Sequence, residues 1–273
     1  MTDPILQVRN LRKVYGARGA GRATGSVAVD DVSFDVASGS SLGIVGESGS
    51  GKTTTARIIA GLETADAGTL TVDGESVILN RRFHRAPSMT QMVFQDPLGS
   101  LDPRQRIGAA IDELLSIGTS LDRSARRSRV VDLLDQVGLD PQHGEEYPRN
   151  LSGGQRQRAA IARALALQPR ILILDEAVSA LDVSVQAQVL NLLSDIRRDT
   201  AITYLFVSHD LAVIRQICDN CIVMRGGRLV EQGSTADVLA NPAEDYTRQL
   251  LNSVPRPGWR PQRSTVVRGE VTA

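Results

Sequence analysis

The sequence predicts an α/β fold: a core of buried parallel strands, a small antiparallel β subdomain ahead of it, and an α-helical subdomain inserted into it. Three patterns carry this reading. Short apolar runs at Ser41–Val45, Ile171–Leu174 and Thr203–Val207 read as strands buried on both faces, and two of them lead into helix-spaced stretches, Thr54–Ala60 and Val183–Ile196. Alternating segments Ile5–Leu11 and Val27–Val36 precede the first helix, as a small antiparallel sheet would. From Ile107 to about Leu139 the apolar residues Ile111, Leu114, Leu115, Val130, Val131, Leu133, Leu134 and Val137 fall near helical spacing, interrupting the strand–helix alternation.

Taken in order, Ile5–Leu11 reads as an edge strand, and residues 17–26, with three glycines and no apolar period, as a loop. Ala37–Ser40 turns into the strand Ser41–Val45, and Gly68–Gly74 is a strand and turn. Residues 79–88 are basic and loop-like; Met92–Gln95 is a short strand stopped by Asp96-Pro97. Gly138 and Pro141 close the helical block, and a helix opens at Leu151 and runs to about Leu167. Pro242, Pro255, Pro257 and Pro261 break the C-terminal segment apart from a short helix near Tyr246–Leu251, and residues 255–273 read as a mobile tail.

The 273 residues carry 31 Lys plus Arg against 31 Asp plus Glu, and 3% aromatics, which gives no reason to expect a nucleic-acid partner. No run of about eighteen apolar residues exists to span a bilayer, and the start Met1-Thr2-Asp3-Pro4 shows no secretory signal. Cys218 and Cys221, without a second pair or a histidine cluster, read as core residues of a reducing compartment.

Gly46-Glu47-Ser48-Gly49-Ser50-Gly51-Lys52-Thr53 matches G-x-x-x-x-G-K-[ST], between a strand and a helix that begins Thr54-Thr55. The three glycines permit a loop whose N–H groups aim at phosphate oxygens, reinforced by the positive end of the following helix. Lys52 is placed for the β- and γ-phosphates and the Thr53 hydroxyl for Mg²⁺. The strand Ile171–Leu174 ends in Asp175-Glu176, and Thr203–Val207 ends in Ser208-His209. Polar groups therefore collect at the sheet edge where such folds bind ligands.

With Leu151-Ser152-Gly153-Gly154-Gln155 added, the chain resembles the nucleotide-binding subunits of ABC transporters over about residues 5–240. Gly46–Thr53 looks like the Walker A loop and Ile171–Asp175 like the Walker B strand, followed by a catalytic glutamate, Glu176. Leu151–Gln155 is the LSGGQ signature, Ser179–Asp182 the D-loop, His209 the switch histidine and Gln95 the Q-loop glutamine. The resemblance implies a P-loop (RecA-like) nucleotide core and ATP and Mg²⁺ as cofactors. Thr53, Gln95 and Asp175 would serve the metal, and Glu176, His209, Gln95 and Lys52 the catalysis. It sets Tyr15 against adenine. It also directs Ser152, Gly153, Gly154, Gln155 and Asp182 at the ATP of a second ABC ATPase subunit, itself or a paralogue, in a head-to-tail dimer.

Ala177-Val178 departs from the proline the family commonly has after this glutamate, which bears on hydrolysis rate. His84 and His143 belong to no motif and read as surface residues. Met92–Arg104, Ser179–Leu193 and Asn241–Pro255 resemble the oligopeptide, dipeptide and nickel importer branch. The implied function is to energise uptake of di- or oligopeptides through membrane permease subunits, at the cytoplasmic face of the cell membrane, served indirectly by an extracytoplasmic binding protein. The alternatives are nickel or another small solute, or a non-transport ABC ATPase. The implied division is a core over 1–96 and 160–240, a helical subdomain over 97–159, an extension over 241–254 and the tail.

Overall fold

The computed structural model describes residues 4–16, 25–77, 89–96 and 100–253. The loop assignments at 17–24 and 79–88, the surface placement of His84, the Pro97–Gly99 part of the importer-like segment and the tail lie outside the described residues.

Two sheets organise the chain. The first is four-stranded, in the order β2-β1-β4-β5, built from β1 (Pro4–Tyr15), β2 (Ser26–Ala37), β4 (Ala67–Val72) and β5 (Glu75–Val77). All its described pairings are antiparallel. The edge-strand reading of Ile5–Leu11 is corrected here: β1 pairs with β2 on one side and β4 on the other. Alternation in a sequence reports which face is buried; lateral neighbours are recruited by backbone groups that all residues share. The alternation also slips along β1, with Leu6 and Val8 buried, then Leu11 and Lys13. Register shifts lie between Val8, Leu11 and Lys13, where Asn10 (φ 49°) and Asp31 (φ 57°) take left-handed angles and the Asn10 amide donates to Asp31 at 2.7 Å.

The second sheet has the order β10-β9-β3-β8-β7-β6. Its strands β3 (Ser41–Val45), β7 (Ile171–Asp175) and β8 (Thr203–Val207) are buried at every residue, as their unbroken apolar runs require. They run parallel to one another, to β6 (Thr90–Val93) and to β9 (Asn220–Arg225); β10 (Arg228–Ser234) turns back antiparallel. Helix α1 (Lys52–Ala60) follows β3, and Gly61 ends it in the left-handed region. Helix α5 (Val183–Thr200) follows β7 and α6 (Leu211–Ile217) follows β8.

Between β6 and β7 lie α2 (Ile107–Gly118), α3 (Arg123–Gln136), two 3₁₀ turns at Pro141–Glu145 and Pro148–Asn150, and α4 (Gly153–Leu165). Ile107, Ile111 and Leu115 of α2 and Val130, Leu133 and Leu134 of α3 are buried, whereas Ile117 and Val131 are exposed. Strand β10 and helix α7 (Thr235–Ala240) have no counterpart in the sequence reading. Their patterns lack a clean period, and β10 is half-buried along most of its length. Helix α8 (Asp245–Ser253) matches the short C-terminal helix. Cys218 and Cys221 are buried free thiols; burial pushes both up, Cys221 to about 11, which keeps them protonated and unreactive.

Candidate functional site

Strand register assembles the site. Ile44 of β3 lies opposite Val207 of β8, and Val207 opposite Asp175 of β7, while Val93 of β6 pairs with Leu174. Four parallel strands therefore end at nearly the same level. Gly46, Glu176, Ser208 and His209, and Gln95 all emerge just beyond that edge.

The loop after β3 has no room for a side chain at two of its glycines, Gly46 and Gly51. Gly46 has φ 149°, and a Cβ there would lie 2.2 Å from the Met224 carbonyl oxygen. Gly51 has φ 100°, and its Cβ would lie 2.3 Å from the Ala28 carbonyl oxygen. Lys52 is 5% exposed and folds back, so that Nζ donates to the carbonyls of Gly46 and Glu47, each at 2.8 Å. Burial lowers its pKa, opposed by Glu176, Asp175 and Glu47. Ser50 is buried with no hydrogen-bond partner for its hydroxyl among the described residues; Glu47, Ser48 and Gly49 are exposed, and Thr54 is half-buried.

Thr53 Oγ1 donates to Asp175 Oδ1 at 3.1 Å, joining the start of α1 to the end of β7. Burial raises the Asp175 pKa, opposed by the Thr53 hydrogen bond and by Arg57. A hydroxyl and a buried carboxylate side by side are hard oxygen donors suited to Mg²⁺, and an inward lysine beside amide groups suits a polyphosphate, so the residues fit both groups. Glu176 follows in the left-handed region at φ 50°, roughly 1–2 kcal/mol above a relaxed backbone, with its N–H held by Val207. That turn sets Glu176 Oε1 3.3 Å from His209 Nδ1.

Gln95 is exposed and its amide reaches Ser179 Oγ at 3.4 Å; the Ser179 hydroxyl donates to the Glu176 carbonyl at 2.9 Å. Ser179 is a connecting residue that the site prediction omitted, although the D-loop segment contained it. Ala177 and Val178 are both buried, so packing holds the strand exit that carries no proline.

Other predicted residues stand apart. Asp182 caps α5, accepting from the Val185 N–H and the Ser184 hydroxyl, and these bonds hold its carboxyl below the usual range. Ser152 caps α4 in a reciprocal box: the Gln155 N–H donates to Ser152 Oγ at 3.3 Å and the Ser152 N–H to Gln155 Oε1 at 2.9 Å. A Cβ on Gly154 would meet Val185 at 2.5 Å, so α4 and α5 touch there. Among the described residues, no hydrogen bond joins this signature segment to the phosphate loop.

His143 is half-buried rather than a surface residue, its Nε2 3.0 Å from Gln155 Nε2. Long-range pairing across a 3₁₀ turn left no signal in the sequence. Tyr15 ends β1 with 41% of its surface exposed; its hydroxyl lies 3.2 Å from Glu63, and the Lys13 ammonium sits 5.1 Å from its ring centroid.

The family profile described as ABC transporter matches residues 29–179, more than half of the chain. The chain belongs to the ABC transporter family. As an ABC protein it carries the family's ATP-binding domain, and solved ABC structures share its fold. One is cbiO1 of Clostridium perfringens, described as part of the ABC transporter complex cbiONQ, with TM-score 0.76 and 27% identity over 88% of this chain and 92% of that one. Another is the ATP-binding cassette MJ0796, described as dimeric and bound to ADP and Pi, with TM-score 0.74 and 26% identity over 84% of this chain and 98% of that one.

Among curated relatives, glutathione import ATP-binding protein GsiA of Shigella flexneri serotype 5b is 46% identical, covering 96% of this chain and 43% of the relative. GsiA of Escherichia coli K12 gives the same figures, and GsiA of Pectobacterium atrosepticum is 45% identical over 93% of this chain and 41% of that one. This ABC chain thus spans about two fifths of the length of these relatives.

Proposed function

We propose that this chain binds and hydrolyses ATP to power an ABC importer of di- or oligopeptides, docked on permease subunits at the cytoplasmic face of the membrane. The observation that carries the ATPase part is the convergence of Lys52, Thr53, Asp175, Glu176 and His209 at one edge of the parallel sheet. Bound ATP supplies the terminal phosphoryl group, and Mg²⁺ neutralises its developing charge. The loop amides and Lys52 Nζ bind and orient the phosphates. Thr53 Oγ1 and Asp175 would hold the metal, and Gln95, whose amide reaches Ser179, is the third candidate ligand. The Glu176 carboxylate orients the attacking water, and His209, 3.3 Å from that carboxylate, helps to fix the water. Tyr15 offers an exposed ring to adenine.

Ser152, Gly153 and Gly154 open α4, and among the described residues no hydrogen bond ties them to this chain's own phosphate loop. That supports a head-to-tail pair in which each signature segment caps the partner's ATP, with Asp182 at the same junction. Replacing Glu176→Gln should cut hydrolysis by at least about a hundredfold while leaving ATP binding intact. Light scattering with Mg-ATP should then report a dimer, and wild-type turnover by this variant would remove the role given to Glu176.

Import of peptides rests on the relatives' names, glutathione being a short peptide. The helical subdomain read as 97–159 offers a seat for a permease helix, a depression of about 420 Å³ lined by its Leu101, Asp102, Leu114 and Ile117, with Arg163 just beyond it. Ile117 is 75% exposed there, a large apolar side chain. A strain lacking the gene should resist a toxic di- or oligopeptide, with sensitivity restored by the intact gene and not by Lys52→Ala. Normal peptide uptake with a selective loss of nickel or sugar uptake would overturn the peptide reading and keep the ATPase.

A further inference from the structure

We propose that Tyr246, on the C-terminal helix α8, is a positioning residue for the phosphate loop. Its hydroxyl accepts a hydrogen bond from the Glu47 N–H at 3.3 Å, across 199 residues of sequence. The inference rests on the phosphate loop being the ATP site.

The peptide unit between Gly46 and Glu47 explains what this bond does. A peptide unit is a rigid plane, with its C=O and N–H pointing to opposite sides when trans. The N–H of this plane is held by Tyr246, and its C=O, that of Gly46, accepts the Lys52 ammonium at 2.8 Å. Lys52 therefore takes its position from a plane whose other end is fixed by Tyr246. The plane needs such an anchor because Gly46, lacking a Cβ, restrains its rotation least. Among the described residues, no other hydrogen bond to the Glu47 N–H is present.

Tyr246 is itself well held. It is 6% exposed within the main core, and the Arg225 guanidinium lies 4.7 Å from its ring centroid. The start of α8 is tied to β10, where the Glu231 carboxylate accepts the N–H groups of Ala243 at 2.8 Å and Glu244 at 3.2 Å. Arg225 closes the same unit, because the hairpin after it donates the Gly227 N–H to the Ser50 carbonyl at 3.0 Å. The β9–β10 hairpin and α8 thus grip the phosphate loop at two points, Ser50 and Glu47. A change in the seating of α8 is transmitted to the lysine that holds the phosphates.

Tyr246→Phe tests this in the full chain, because it deletes one oxygen and keeps the ring, its burial and its contact with Arg225. Losing one hydrogen bond that orients a charged ligand group should weaken ATP binding by about three- to tenfold. The KM for ATP should rise in step, with kcat changed by less than about twofold, since no reacting group is touched. The melting temperature without nucleotide should be unchanged, while the rise produced by a fixed Mg-ATP concentration should shrink. Unchanged ATP affinity overturns the proposal, as does a lowered nucleotide-free melting temperature with a normal KM, which would make Tyr246 a packing residue only. If Lys52→Ala also binds ATP normally, the phosphate-loop reading itself has failed. If Lys52→Ala loses ATP and Tyr246→Phe does not, only the role of Tyr246 has failed.

Discussion

Replacing Gly46 by alanine puts the geometry of the phosphate loop to a direct test. Two costs add. An L-residue at φ 149° is strained by roughly 1–2 kcal/mol, and the new Cβ would sit 2.2 Å from the Met224 carbonyl oxygen. Real Cβ contacts stay beyond about 3.0 Å, so loop and carbonyl must part by almost 1 Å; overpacking of that kind costs a further ~1–3 kcal/mol. Met224 belongs to the buried strand β9, which is paired on both sides, so the loop yields rather than the strand.

A displacement of about 1 Å in a positioning group costs on the order of a hundredfold in function, so ATP affinity should fall by about that factor. Gly49→Ala is the internal control. It too has a positive φ, 79°, but nothing within 4 Å of its Cβ, so it carries backbone strain without the collision. Denaturant unfolding should give a loss of about 2–5 kcal/mol for Gly46→Ala and about 1–2 kcal/mol for Gly49→Ala, and titration with a labelled ATP analogue reads the binding. Equal losses for the two variants, or normal ATP binding by Gly46→Ala, would refute the argument.

Two further outcomes follow from the same site. Burial raises the Asp175 pKa, so the folded state holds that proton more tightly than the unfolded chain, and the group's contribution to nucleotide-free stability falls as pH rises through the unfolded aspartate value of about 4. Asp175→Asn removes the buried charge. It should raise the nucleotide-free melting temperature at neutral pH and flatten that pH dependence, while weakening Mg-dependent ATP binding; a lower melting temperature would show that the charge stabilises the apo fold. Ser152→Ala deletes the cap that satisfies the Gln155 N–H and should cost about 1 kcal/mol of stability. It should also reduce ATP-driven dimerisation while the isolated subunit keeps its ATP affinity, and equal loss of both would place the signature segment on its own subunit's nucleotide.

Much of the fold was legible because its signals are local. Unbroken apolar runs announced β3, β7 and β8, since a strand covered on both faces has no polar side to show. Helical spacing announced α2 and α3, and the glycine pattern announced a loop whose angles only glycine adopts easily. The family resemblance then named Lys52, Thr53, Asp175, Glu176 and His209 as one group.

Other features depend on partners distant in the chain, and residue types carry no record of those. The central position of β1 came from backbone pairing with β2 and β4, which alternation cannot encode. The contact of half-buried His143 with Gln155, the link of Gln95 through Ser179 to Glu176, and the reach of Tyr246 to Glu47 are each made by tertiary packing. The sequence by itself determined which side chains could hold a polyphosphate, because that chemistry resides in the residues and their spacing. Only the tertiary structure decided the level at which four strands end and which distant groups brace the loop between them, because hydrogen-bond register and helix docking are set by contacts the whole chain makes at once.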